Sequence, residues 1–234
     1  MKTVILAGGK GVRLRPLTYT IPKPLLPVGE KPILEEIIER LRAQGLCDLV
    51  VAVGYRAELI ETYFRDGSQL GVRIEYVRET QPLGTGGPLS LVRSQCGLPF
   101  GEPLLAMNGD ILTDIDMIAF IDAHRAAGNH LTIATRQFPL QHPYGVIQLD
   151  GDRITGITEK PVVIDTVSAG IYVIEPAALD LIPDGVFFDM PDLVNALLAA
   201  GRPVGAFPFD DAWLAIDGLD QLEDATRMLA ERHA

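Results

Sequence analysis

The sequence predicts an α/β fold in three layers, with a mixed, mostly parallel sheet between two layers of helices. Three observations carry that expectation. Apolar segments alternate along the chain between runs of strand length and runs of helical period, from "TVILA" to "LDQLEDATRMLAERH". Such alternation builds parallel sheets covered on both faces. Of the 234 residues 47% are apolar, enough for one sizeable core in a chain of this length. Glycine-rich turns also follow two strands directly, "AGGKGVR" after the first and "MNGD" after a later one. Ligands on open α/β sheets lie beyond those strand ends.

The elements follow in order. "TVILA" reads as a buried first strand. "PILEEIIERLRAQG" reads as a helix with Pro32 in its first turn, one stripe of Ile33, Leu34, Ile37, Ile38 and Leu41, and Gly45 as its stop. "LVVAVG", "VRIEYV" and "PLLAMNGD" are strands, separated by the helices "AELIETYFRDG" and "TGGPLSLVRSQ". "DIDMIAFIDAHRAAG" is a helix capped by Asp114 and stopped by Gly128, with His124 on its surface. After residue 130 the period shortens. "LTIATR", "GVIQLD", "RITGITEKP" and "VSAGIYVI" are strands, and the Gly151-Asp152 turn implies a hairpin and hence a mixed sheet. The helix "MPDLVNALLAAG", the strand "VGAFPF" and the last helix complete one domain, 1–234, whose second half adds an antiparallel lid or platform.

Composition excludes several classes of function. A formal charge of −11 argues against binding a nucleic-acid backbone. Cys47 and Cys96 form no CxxC and are expected as small buried hydrophobes. The N-terminus has no signal-peptide core, and no stretch reaches the ~20 apolar residues of a membrane span, so a cytoplasmic protein is expected. His124, His130, His142 and His233 show no ligand spacing, and no nucleophile–base arrangement is legible.

Against that acidic background the cations Lys10, Arg13, Arg15 and Lys23, packed around Gly8, Gly9 and Gly11, point to a small anion. Backbone N–H groups of such a turn can ring a polyphosphate, and Arg13 offers a planar fork to it. A Walker A loop would need Ser or Thr after GK, and a dinucleotide fingerprint a third glycine where Leu14 stands. Lys23, between Pro22 and Pro24, is held by a stiff backbone and suits an anchoring role. Asp110, at a strand tip beside Gly109, suits Mg²⁺ when phosphates supply the other oxygens. "PLGTGG" leaves room for a flat base, and Glu159 with Lys160 suits sugar hydroxyls and a phosphate.

The block "ILAGGKGVRLRPLTYTIPKPLLPVGEKPIL", followed in order by "QPLGTGG", "MNGD", "YGVI", "TEKP", "SAGIYVIEP" and "FFDMPDL", resembles the sugar-1-phosphate nucleotidyltransferases, most closely their mannose- or heptose-1-phosphate guanylyltransferase branch. The resemblance does not include the C-terminal left-handed β-helix of longer members. It implies a Rossmann-like nucleotidyltransferase domain, with residues 1–130 as the nucleotide-binding half and 131–234 as the sugar-binding half. The partners implied are a nucleoside triphosphate and a sugar 1-phosphate, with no nucleic acid or membrane, in a monomer or homodimer. GTP is favoured; UTP, CTP and dTTP stay open. By the same resemblance Gly8, Gly9 and Gly11 line the nucleotide, Arg13 holds the β- and γ-phosphates, and Lys23 contacts the α-phosphate and the attacking sugar phosphate. Gln81 and Gly86 face the base, Asp110 binds Mg²⁺, Gly145, Glu159 and Gly170 surround the sugar, and Lys160 takes its phosphate.

Two departures stand out. Val12 replaces a usual Thr or Ser, and Ala215 stands where many relatives have a second metal-binding Asp. Asp217 lies two residues further on, which on an extended strand is the same side, and is expected to replace it. Two rival readings belong to other classes. One is a non-catalytic sugar-nucleotide-binding regulator that lost its metal site at Ala215. The other is a nucleotide-sugar glycosyltransferase using "TDID", residues 113–116, although that stretch reads as a helix start.

Overall fold

The computed structural model describes residues 1–97 and 101–233. Its first strand, β1 (Thr3–Ala7), is an interior strand of a seven-stranded sheet. A two-residue hairpin, β2 (Pro27–Val28) and β3 (Lys31–Pro32), leads into α1 (Ile33–Ala43). There follow β4 (Asp48–Val53), α2 (Ala57–Phe64), β5 (Arg73–Arg78), α3 (Pro88–Gln95), β6 (Leu104–Asn108), β7 (Ile111–Thr113) and α4 (Met117–Ala127). The second half holds β8 (Leu131–Gln141), β9 (Val146–Asp150), β10 (Arg153–Thr158), β11 (Val162–Ile174), α5 (Pro176–Leu179), α6 (Met190–Ala199), β12 (Val204–Pro208), β13 (Trp213–Ala215) and α7 (Leu219–His233).

The sheet order is β12-β8-β11-β6-β1-β4-β5, and β11 alone runs against the rest. It is therefore mixed and mostly parallel, as the sequence predicts. Successive residues of a strand face opposite sides, so Val4, Val50 and Ala106 join one core with Leu89 of α3 and Leu193 of α6. Ile5, Val51 and Met107 join the other with α1, α2, α4 and α7. The α1 stripe is buried in full, each side chain worth roughly 1.5–3 kcal/mol. The chain leaves α1 through a left-handed Gly45, φ 79°, with Leu46 N–H donating to the Leu41 carbonyl at 3.0 Å. Pro32 stands just before the helix as its cap rather than inside its first turn.

Three other expectations are corrected. α4 is capped by Asp116, whose carboxylate accepts from Ala119 N–H at 2.9 Å, and not by Asp114. Residues 111–113 pair with β13, and Asp114 N–H donates to the Ala212 carbonyl at 3.0 Å, so the backbone there is held extended and the helix starts later. His124 is fully buried, bonded through Nδ1 to Thr132 Oγ1 at 2.7 Å and through Nε2 to Glu175 at 3.2 Å. Burial pushes its pKa down, with Glu175 opposing the shift. Cys47 and Cys96 are free and only half-buried, each at the margin of a core.

The antiparallel part has two pieces. β9 and β10 form a separate hairpin around Gly151, and the outer ends of β8 and β11 extend past the sheet. Among the described residues no helix is long and apolar enough to cross a membrane.

Candidate active site

The carboxyl ends of β1, β4 and β6 lie side by side, with β4 on one side of β1 and β6 on the other. That is the switch point at which open α/β sheets leave a crevice. A cavity of about 800 Å³ opens there. Its walls include Gly8, Gly9, Gly11 and Arg13 after β1, Gly54 and Tyr55 after β4, and Asn108 to Asp110 at the end of β6.

The glycines have separate reasons to be glycine. A Cβ on Gly8 would overlap the Glu79 carboxylate, and one on Gly54 would meet the Gly8 carbonyl oxygen at 2.8 Å. Gly11 is left-handed, φ 58°, and a side chain there would meet Thr18 Cγ2 at 2.9 Å and Lys23 Cβ at 3.1 Å. The Thr18 hydroxyl donates to the Gly11 carbonyl at 2.8 Å and fixes the turn. Gly9 has nothing within 4 Å of its Cβ position. The loop therefore folds back closely enough to bring the stem of Lys23 against Gly11.

Lys23 occupies a single 3₁₀ turn, Lys23–Leu25, behind Pro22. Its ammonium lies 2.5 Å from Asp110 Oδ2 and 3.6 Å from Asp217 Oδ1. Arg13 Nη2 reaches the same Asp217 oxygen at 3.1 Å. Asp217 stands just past β13 and is brought to Asp110 by the bond from Ile216 N–H to the Asp110 carbonyl, 2.9 Å. Two carboxylates thus converge on one cation. Oxygen donors so arranged, with open space for phosphate oxygens, fit a hard divalent ion such as Mg²⁺, which needs few protein ligands. Among the described residues no group of three ligating side chains forms a closed metal site. Ala215 pairs with Ile111 in the β13–β7 ladder.

Of the four clustered cations, Lys10, Arg13 and Lys23 line the cavity, whereas Arg15 lies over the Tyr19 ring at 5.1 Å. Gln81 is in the cavity wall, with its amide donating to the Gly185 carbonyl at 3.1 Å. Gly86 is buried and does not line the cavity. Its backbone N–H donates to the Phe188 carbonyl at 2.8 Å, and a Cβ would meet Phe188 and Asp189 at 3.1 Å. The tightness of "PLGTGG" thus comes from packing against residues 186–189, with Asp189 accepting from Thr85 N–H at 2.8 Å. Gly145, Glu159 and Lys160 also lie outside the cavity wall. Gly145 and Glu159 are neighbours, a Cβ on the glycine falling 2.9 Å from Glu159 Oε2. Gly170, at a bulge of β11, sits beside Asn108 next to the cavity.

The structure adds residues that the sequence reading passed over. Glu79 lines the cavity with Oε2 accepting from Leu83 N–H at 3.1 Å, and burial raises its pKa. Phe187 lines it too, with an exposed ring. Asn108 has a buried Oδ1 with no hydrogen-bond partner. Among the described residues His130 and His142 belong to no metal-holding group, and the side chain of His233 lies outside the described ones.

The pattern of the family described as Nucleotidyl transferase matches residues 2–232. The chain belongs to that family. It is 36% identical to a UTP–glucose-1-phosphate uridylyltransferase of Synechocystis sp., over 99% of this chain and 64% of that protein. It is 40% identical to a mannose-1-phosphate guanyltransferase of Kluyveromyces lactis, over 78% of this chain and 52% of that protein. A mannose-1-phosphate guanylyltransferase of Mycobacterium tuberculosis is 36% identical, over 85% and 55% respectively. The chain thus spans between half and two thirds of the length of these relatives. In fold it matches HddC from Yersinia pseudotuberculosis, solved with GMP-PN, at a TM-score of 0.76 and 23% identity over 97% of this chain and 99% of that one. A Bacillus anthracis chain solved with sucrose gives 0.78 at 22% identity over 97% and 94%. These neighbours fix the nucleotidyltransferase fold, a Rossmann-like α/β/α arrangement.

Proposed function

We propose that this chain joins a nucleoside triphosphate, with GTP favoured, to a sugar 1-phosphate, releasing pyrophosphate and leaving a nucleotide-activated sugar. The observation that carries the reading is the convergence of Lys23, Arg13, Asp110 and Asp217 in the wall of a glycine-lined cavity. The names of relatives acting on glucose and mannose 1-phosphates agree with it. The sugar-phosphate oxygen is already anionic at neutral pH and needs no general base. It attacks the α-phosphorus in line, and the bond to the β-phosphate oxygen breaks as pyrophosphate leaves.

Two anionic esters must be held together, and the chain's residues do this. Lys23, only 13% exposed, places an ammonium where the α-phosphate and the incoming phosphate meet. Arg13, largely exposed, offers its guanidinium to the pyrophosphate. The turn at Gly8, Gly9 and Gly11 presents backbone to the nucleotide. Such positioning is worth roughly 7–11 kcal/mol in favourable cases. Mg²⁺, held by Asp110 and Asp217, would neutralise phosphate charge when bound. Residues 1–130 hold most of the nucleotide, and Gly145, Glu159, Lys160 and Gly170 of the second half take the sugar phosphate. The setting is cytoplasmic.

Pyrophosphate release tests this, with purified protein, Mg²⁺, each nucleoside triphosphate and a panel of hexose and heptose 1-phosphates. Release with at least one pair is expected. Tight triphosphate binding with no release from any pair would overturn catalysis and favour the regulator.

A further inference from the structure

Phe187 has no assigned part in the proposed chemistry, yet its surroundings are built. The backbone on either side of it is clamped. Gly185 carbonyl accepts from Gln81 at 3.1 Å, and Gly185 N–H donates to the buried Ser90 hydroxyl at 3.4 Å. Phe188 N–H donates to the Leu83 carbonyl at 2.9 Å, and the Phe188 carbonyl accepts from Gly86 and Gly87 N–H, both at 2.8 Å. The Asp189 carboxylate holds Thr85 through both its N–H and its hydroxyl, at 2.8 and 3.1 Å. Between these ties Phe187 is 59% exposed as a residue and lines the cavity wall. A single exposed aromatic is ordinary on a surface. One held rigidly inside a nucleotide-sized cavity offers a flat face ready for a flat partner.

Glu79 is the second unused group in the same cavity. Its carboxylate is half-buried, and burial raises its pKa with no cation among the causes to offset it. One oxygen takes the Leu83 N–H, and the other lies against Gly8, where any side chain would overlap it. A carboxylate accepts hydrogen bonds and donates none. With a single backbone donor in a semi-enclosed space it stays under-satisfied, and a ligand bringing further donors lowers that cost.

Resting on the nucleotidyl-transfer reading above, we propose that Glu79 and Phe187 choose the base, the ring stacking on it and the carboxylate accepting from N1–H and the exocyclic N2–H of guanine. Guanine alone presents two adjacent donors on that edge. Adenine and cytosine turn a ring-nitrogen acceptor toward the same place and are repelled. Uracil and thymine present one donor and a smaller face to stack.

Equilibrium titration of the full chain with GTP, ITP, ATP, UTP and inorganic tripolyphosphate, in Mg²⁺, tests this. GTP binds tightest. ITP, which keeps N1–H and lacks the N2 amine, binds about tenfold more weakly, as expected for one hydrogen bond to a charged group. Glu79→Gln keeps an acceptor for Leu83 and cuts the GTP-over-ATP ratio at least ~tenfold, leaving tripolyphosphate affinity unchanged. Phe187→Ala weakens every nucleotide about tenfold without affecting tripolyphosphate, and Phe187→Trp restores binding. A preserved GTP-over-ATP ratio in Glu79→Gln, or unchanged nucleotide affinity in Phe187→Ala, overturns the assignment. Tight triphosphate binding with UTP preferred overturns the base assignment alone. Failure to bind any triphosphate, tripolyphosphate included, removes the nucleotidyl-transfer reading as well.

Discussion

Replacing Asp217 with Ala separates a metal-holding carboxylate from a structural one. Its contacts are with Lys23 at 3.6 Å and Arg13 at 3.1 Å. Two unit charges 3.6 Å apart would attract by roughly 4–5 kcal/mol at an effective dielectric near 20. Asp217 is 43% exposed and Arg13 74% exposed, so solvent screening reduces the net worth of these pairs to about 0–1 kcal/mol. Lys23 also keeps Asp110 as a partner. Asp217→Ala should therefore melt within about 2–4 °C of the parent in metal-free buffer. Its metal affinity should fall at least ~10–100-fold, because one of two converging carboxylates is gone. Differential scanning fluorimetry measures the first quantity. Mn²⁺ binding followed by electron paramagnetic resonance, together with the Mg²⁺ dependence of pyrophosphate release, measures the second. A variant that folds normally and keeps both metal curves unshifted refutes the reasoning, and Asp217 is then only a counter-ion for Lys23 and Arg13.

Lys23→Ala should lower the rate of pyrophosphate release about 10²–10³-fold, the usual loss on removing one donor to transition-state charge, with the fold retained by circular dichroism. In Glu79 burial raises the folded-state pKa, so its stabilisation is full below the ordinary carboxylate range and is lost as pH climbs through the folded value. Glu79→Gln should accordingly melt near the parent at about pH 4 and above it at about pH 7.5, in paired thermal scans. His124 shifts down through burial, so the unfolded chain takes the proton first, and stability present above about pH 6.5 drains away as pH falls. His124→Gln should flatten that limb of a urea-denaturation series taken against pH. Asp116→Ala should cost about 1 kcal/mol in urea denaturation, through loss of the cap to Ala119, with no change in nucleotide binding.

Local periodicity made most of the fold legible. The α1 stripe and the left-handed stop at Gly45 follow from spacing alone, and the structure keeps both. What spacing could not give is long-range pairing. The shift of the α4 cap from Asp114 to Asp116 comes from β7 pairing with β13, a hundred residues away in sequence. The burial of His124, against the surface position expected of it, does have a spacing signal. The residue falls three and four residues after Ile121 and Phe120, on the stripe those residues bury. In the site, the cluster after β1 stood out because cations are scarce in an acidic chain. Glu79 and Phe187 did not, because a lone Glu or Phe carries no spacing signal. Only the cavity wall singles them out.

The glycines of "PLGTGG" and those of "AGGKG" look alike in sequence and differ in physical cause. In the first motif Gly84, Gly86 and Gly87 lie against the backbone of residues 186–189, so their smallness lets one part of the chain approach another. In the second, Gly9 faces open space and Gly8 faces Glu79, while Gly11 makes room for Lys23. A methyl group added at Gly87 would strike the Leu83 and Val186 carbonyls and displace the clamp on which Phe187 stands. One added at Gly9 would strike nothing in the protein and would stand where a nucleotide is expected. The two substitutions therefore act through different links. Gly87→Ala disturbs the packing of residues 83–87 on residues 186–189. Gly9→Ala leaves the fold alone and meets only the ligand. Glycine is thus required by chain-on-chain packing in one motif and by open space in the wall of the cavity in the other.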